Sequence, residues 1–217
     1  FVWQTSWGIS TRSVGVAIMM HSDDKGLVVS PRVAEKQIVV VPIFGKKDKD
    51  ARKKVMGKVN EIVSELGDVR VLVDDSDNSP GYKFNEWEMK GVPLRLEFGM
   101  RDLDSGKVVL VRRDNGKKEE VKFKNVSNRV AELLEDIHGS LYNKAKKFLR
   151  DNTVEVSGMK ELVKVIENKK LVVAKWDGSL ESEDMIKDKS GGGKILCIRK
   201  EVSDGKCVYS GKKAKYE

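Results

Sequence analysis

Runs of β-branched residues alternate along this chain with stretches in which apolar positions return every three or four residues. Gln37 to Ile43 (QIVVVPI) is a short apolar run rich in valine and isoleucine, the pattern of a strand covered on both faces. Val55, Val59, Ile62, Val63 and Leu66 then fall at helical spacing and close one apolar stripe, which Gly67 ends. VRVLV, Val69 to Val73, supplies the next strand and completes a strand–helix–strand unit. PLRLEF and KVVLVRR continue as strands, the second leading into an Asn115-Gly116 turn. A long helix follows, carrying Val130, Leu133, Leu134, Ile137, Leu141 and Phe148 on its apolar side.

Beyond Arg150 the alternation repeats at smaller scale: strand VEV, helix MKELVKVIEN, strand KLVVAKW and an acidic helical piece ESEDMIK. This predicts a second, smaller α/β unit, and 217 residues suffice for one large domain or two smaller ones. SGGGK, Ser190 to Lys194, is a loop; it lacks the glycine spacing and the following Ser or Thr of a phosphate loop.

Charged residues make up 35% of the chain and the net charge is +8, a field that favours polyanions such as nucleic acid. Lysine-rich faces that serve only solubility fit the same numbers. No apolar run approaches the length a bilayer requires, and the first residues carry no signal-peptide pattern. Cys197 and Cys207 cannot make a disulfide framework, and free thiols suit a reducing compartment, with the cytoplasm as the expectation. Cys197, flanked by Ile195, Leu196 and Ile198, reads as an apolar strand residue.

The opening stretch QTSWGISTR holds the first candidate chemistry. Trp7-Gly8 ends a strand-like segment, Ser10 and Thr11 suit a helix N-cap, and Arg12 opens a helix with Val14, Ile18 and His21 broadly on one side. Small residues there leave floor space for a ligand, and a guanidinium can stack on a purine or pair with a phosphate. Ordinary packing fits the same residues.

QTSWGISTRSVG resembles motif 3 of a class II aminoacyl-tRNA synthetase, in the form found in prolyl-tRNA synthetases of the eukaryotic and archaeal type. The likeness continues through HSDDKGLVVSPRVA, SPGYKFNEWEMKGVPLRLEFGMRDL and VVLVRRDNGKKEEV, and ends with LCI and GKCVYSGKKAKY. It implies the C-terminal portion of a proline-tRNA ligase, since class II motifs 1 and 2 do not occur in the sequence. The implied fold class is α/β and α+β, in three segments. Residues 1–34 would end the antiparallel catalytic sheet, with Phe1 inside a strand; 35–141 would form an α/β anticodon-binding domain with a mixed sheet; 142–217 would form a small α/β C-terminal domain.

The resemblance also implies the chemistry: activation of proline by ATP with Mg2+ to prolyl-adenylate, transfer to tRNA(Pro), and a homodimer formed through the catalytic domain. Gln4, Ser10 and Arg12 match ATP-binding positions, with Arg12 as the catalytic arginine, and Ser6, Trp7 and Gly8 match the proline pocket. Phe84, Glu88, Arg95, Arg101 and Asp102 match the anticodon-contacting positions. The anticodon carries two guanines, whose adjacent donors suit a carboxylate, while unstacked bases seek an aromatic face. Met100 departs from the family's Gly-Pro-Arg-Asp, which points to a less rigid loop before Arg101.

The C-terminal domain of this subclass often holds structural zinc. Two of its cysteines flank the turn matching Asp177 to Ser182 and two lie around Cys207 and Tyr209; only Cys207 is present, so no zinc is expected. A non-catalytic tRNA- or RNA-binding module on an anticodon-binding fold is the alternative; such a module, or a purely structural protein, would have no use for motif 3.

Overall fold

In a computed structural model, residues 2–45 and 48–217 are described, and the strand expected at Phe1 lies outside them. Contacts divide the chain into two units, one running through Ala145 and the other from Lys146. In the first, the apolar run becomes β1 (Ile38–Ile43), buried at every position but its last. The striped segment is α2 (Lys49–Glu65), whose start is fixed by the Asp48 carboxylate accepting the Ala51 N–H. β2 (Val71–Val73) returns parallel to β1 and closes the expected strand–helix–strand unit.

Ser79 caps α3 (Pro80–Met89) by accepting the Tyr82 N–H, with proline in its favoured first-turn position. β3 (Leu94–Gly99), the short α4 (Met100–Ser105), β4 (Lys107–Arg112), β5 (Lys118–Lys122) and α5 (Val126–Asp151) follow. The sheet has five strands in the order β2-β1-β3-β4-β5, parallel among the first three and antiparallel among the last three.

Alternation along β3 decides what each face of the sheet can do. Leu94, Leu96 and Phe98 join Ile38, Val40 and Leu110 in the main core, against Val55 and Val59 of α2 and Val130, Leu133 and Ile137 of α5. Arg95 and Glu97 therefore point to the opposite face. There the strand register places Val39, Arg95 and Val111 side by side across β1, β3 and β4.

α1 (Arg12–His21) forms as the sequence predicts, but Val2 to Ser10 take no strand. A strand must exchange its N–H and C=O groups with a neighbour, and these residues pair with none among the described residues. Their side chains stand in solvent, Trp7 at 95% exposure and Trp3 fully so. Thr11 occupies the N-cap position without a side-chain bond, so neither Ser10 nor Thr11 serves as the hydroxyl cap the sequence suggests.

The second unit pairs β6 (Thr153–Val156) with β7 (Leu171–Ala174) in parallel, connected by α6 (Met159–Glu167), and adds α7 (Leu180–Lys189). Val156, Leu162, Ile186 and Val208 form its core. Cys197 is exposed and lies outside any strand, contrary to expectation, because backbone pairing with Glu217 begins only at Arg199 and Lys200.

Gly91 and Gly57 should respond oppositely to alanine. At Gly91 φ is +74° and a Cβ would lie 2.7 Å from the Leu27 backbone, so Gly91→Ala should destabilise the first unit by about 1–3 kcal/mol. Gly57 lies inside α2 with open space around it, so Gly57→Ala should stabilise by about 0.5–1 kcal/mol. Urea unfolding of the two variants measures both signs.

Candidate anticodon interface

On the non-core face of the sheet a cavity of about 220 Å³ opens over the row Val39, Arg95 and Val111. Trp87 and Glu88 of α3 form one wall, and Lys25, Arg112, Arg113 and Lys118 complete its polar lining. Phe84 lies one turn before Glu88 on α3. The Arg95 guanidinium sits 4.4 Å from the Phe84 ring centroid, and its Nε and Nη2 donate to Glu97 Oε1 at 3.1 and 2.9 Å. Glu88 Oε1 accepts from Lys25 Nζ at 3.1 Å. The Glu88 carboxylate, the Arg95 guanidinium and the Trp87 ring thus converge on one recess, and Phe84 packs against Arg95.

Buried charge pins α3 at both ends. Near its start, Lys83 Nζ donates to the Asp74 carbonyl at 2.8 Å, while the Asp74 carboxylate accepts from Trp87 Nε1 at 2.7 Å and Ser76 Oγ at 2.6 Å. Burial pushes the Asp74 carboxyl up, but the Ser76 and Trp87 hydrogen bonds and the Lys83 charge outweigh it and hold it below its ordinary value. At the far end Arg113, its side chain only 4% exposed, donates through Nε to the Glu88 carbonyl at 2.8 Å. Its two terminal nitrogens fork onto Asp23 at 2.8 and 2.6 Å, and one also reaches the Gly26 carbonyl at 3.2 Å.

The remaining expected residues are not gathered at the cavity. Asp102 spends Oδ2 on the Gly99 N–H at 2.8 Å, capping α4, and Arg101 is exposed on the same helix. Gln4, Ser6, Trp7, Gly8 and Ser10 lie on the exposed, unpaired segment, and Arg12 is exposed at the start of α1. Lys25, Asp74, Trp87 and Arg113 are the site residues that sequence reasoning missed.

The family model described as "Anticodon binding domain" matches residues 37–133, and that described as "Prolyl-tRNA synthetase, C-terminal" matches 159–217. Proline--tRNA ligase 2 of Bacillus thuringiensis (strain Al Hakam) is 43% identical over 218 residues, covering 99% of this chain and 45% of that protein. The chain belongs to the prolyl-tRNA synthetase family. Other members are similarly close: proline--tRNA ligase of Natranaerobius thermophilus is 41% identical over 97% of this chain and 44% of its own length. That of Porphyromonas gingivalis is 40% identical over 98% of this chain and 43% of its own length. The chain therefore spans less than half the length of these curated relatives. Prolyl-tRNA synthetases as a family use ATP.

The positions that match zinc ligands in the family hold a different device here. Asp177 Oδ1 accepts from Ser179 Oγ at 2.8 Å, Ser182 Oγ at 2.6 Å and the Ser179 N–H at 3.0 Å, and Oδ2 accepts from Ser210 Oγ. Trp176 Nε1 donates to Ser182 Oγ at 2.8 Å. Burial raises the Asp177 carboxyl, yet the hydroxyls of Ser182, Ser210 and Ser179 hold it well below the usual carboxylate range. Both carboxylate oxygens are filled by donors, and hydroxyls are not the thiolate or imidazole ligands that zinc requires, so these residues do not fit the ion. Among the described residues no group of three or more His, Cys, Asp and Glu could hold a metal.

Two outcomes follow from these carboxylates. The Arg113 fork holds the Asp23 carboxyl down at about 2, so the pair's contribution to stability is full above about pH 4 and is lost as pH falls toward 2. Asp23→Asn should destabilise at neutral pH, and its gap from wild type in urea unfolding should shrink as pH drops through that window. Asp177→Ala strips three serine hydroxyls of their acceptor and should cost the second unit about 1–3 kcal/mol, read by amide exchange across β6 and β7.

Proposed function

We propose that this chain is the tRNA-reading part of a proline-tRNA ligase, and that the cavity between α3 and the sheet receives an anticodon guanine. The observation that carries the reading is the convergence of Glu88 and Arg95 on one recess of base-like size within the anticodon-binding domain. A guanine's Watson–Crick edge offers N1–H and N2–H donors side by side, which suit both oxygens of the Glu88 carboxylate. Arg95 supplies donors that suit O6 or a neighbouring phosphate, and Phe84 offers a face for an unstacked base. Arg101, exposed on α4, suits a backbone phosphate, and the Asp102 carboxylate suits a second guanine, since Oδ2 keeps a lone pair beside its helix-cap bond.

The complete protein would activate proline with ATP and Mg2+ to prolyl-adenylate and transfer it to tRNA(Pro). Residues 1–34 would then close the catalytic domain, 35–141 read the anticodon and 142–217 form the C-terminal domain. Gln4, Ser10 and Arg12 would hold ATP, Arg12 by stacking on adenine and pairing with phosphate, and Ser6, Trp7 and Gly8 would bound the proline. Mg2+ supplies charge neutralisation for the ATP phosphates. A cytoplasmic homodimer fits this role, and no helix among the described residues is long and apolar enough to cross a membrane.

Binding of this chain to the tRNA(Pro) anticodon stem–loop and its anticodon-substituted versions tests the reading. Glu88→Ala should cost about 1–3 kcal/mol for the guanine-bearing loop and little for the substituted ones, by analogy with bidentate base contacts. Asp102→Asn, which keeps an oxygen for the helix cap, should relax discrimination with less loss of stability than Asp102→Ala. A generic basic patch gives the opposite result, since removing a negative charge from a phosphate-binding face tightens every loop equally.

A further inference from the structure

In the free chain the Glu88 carboxylate is already engaged. Lys25 Nζ lies 3.1 Å from Oε1, with the lysine side chain 67% exposed and the glutamate 28%. The lysine tip can swing into water, but its backbone cannot follow. Lys25 N–H donates to Asp23 Oδ1 at 3.0 Å, and Asp23 is gripped by the buried Arg113 fork. Leu27 N–H donates to the Met89 carbonyl at 2.9 Å, and at Gly26 any Cβ would lie 2.5 Å from that same carbonyl oxygen. The Asp23–Gly26 turn is therefore seated on the end of α3, and it keeps one ammonium within reach of Glu88 and the cavity it lines.

A guanine edge sets its paired donors on the two oxygens of a carboxylate, so it and Lys25 draw on the same Glu88 charge and crowd the same approach to Oε1. We infer that Lys25 is a specificity-determining residue of this interface, a built-in competitor for Glu88 that a guanine edge displaces and a base lacking two adjacent donors does not. This rests on the reading of Glu88 as a base contact. With Lys25 in place, a wrong base meets a neutralised carboxylate; without it, that base meets a bare anion. The ammonium thus weakens the cognate complex and softens the penalty on the others.

Lys25→Met keeps the stem and removes the charge, and Lys25→Arg keeps the charge. Binding of the whole 217-residue chain to the stem–loop and its guanine-substituted versions should show Lys25→Met binding the cognate loop about two- to fivefold more tightly, the range of an exposed ion pair. Discrimination should widen, Lys25→Arg should restore wild-type behaviour, and in a Glu88→Ala background Lys25→Met should leave discrimination unchanged. If Lys25 instead holds a phosphate, Lys25→Met weakens every loop alike and lowers the salt dependence, which overturns the inference. Unchanged or narrowed discrimination in Lys25→Met also overturns it. If Glu88→Ala alone leaves guanine preference intact, the base-contact reading fails and takes the Lys25 inference with it; a Glu88 effect without a Lys25 effect removes only the latter.

Discussion

A guanidinium cannot be left in a protein interior without acceptors, and Arg113 draws its acceptors from two separate pieces of chain: the Asp23–Gly26 turn and the last turn of α3. It lies directly after β4, so one buried charge fixes a turn, a helix end and a sheet strand at a single point. Removing it would leave Asp23 Oδ2 without its donor, and would leave Asp23 Oδ1 and the Glu88 carbonyl only the Lys25 and Gly91 N–H groups. A lysine would not substitute, because a point ammonium cannot grip Asp23 through two parallel bonds and still reach a helix carbonyl. A cation beside the C-terminal carbonyls of α3 also opposes the helix dipole in the favourable sense.

Asp74 does for the front of α3 what Arg113 does for its end. Between these anchors Phe84 and Glu88 face the sheet at a fixed spacing, while β3 alternation turns Arg95 toward them. A register slip of one residue in β3 would bury Arg95 in the α2–α5 core and turn Leu96 and Phe98 out. The apolar packing that makes the sheet and the polar recess above it are consequently one constraint: the core residues hold the register, and the register aims the charged ones.

What was legible in the sequence was local or periodic. β1, α2, β3, β4 and α5 follow from apolar spacing alone, and the quoted motifs located Glu88 and Arg95. Contacts between distant residues left no such trace: Arg113 and Asp23 are 90 residues apart, and Ser210 reaches Asp177 across 33. Asp102 stood at the third helical position after Gly99, where a carboxylate caps a helix, so its capping bond could have been anticipated. The opening segment and Cys197 misled for a shared reason. Each carries the composition of a strand, and composition does not supply the neighbouring strand that would complete it.

The Asp177 knot changes what the second unit requires in order to mature. A metal clamp closes only after its thiolates capture an ion, and it opens again under chelation or oxidation. One carboxylate and three serine hydroxyls close as soon as the chain brings Ser210 to Asp177. Hydroxyls neither form disulfides nor compete for a scarce cation. The junction between the Trp176–Ser182 turn and the Cys207–Lys212 segment is thereby held by the polypeptide's own side chains.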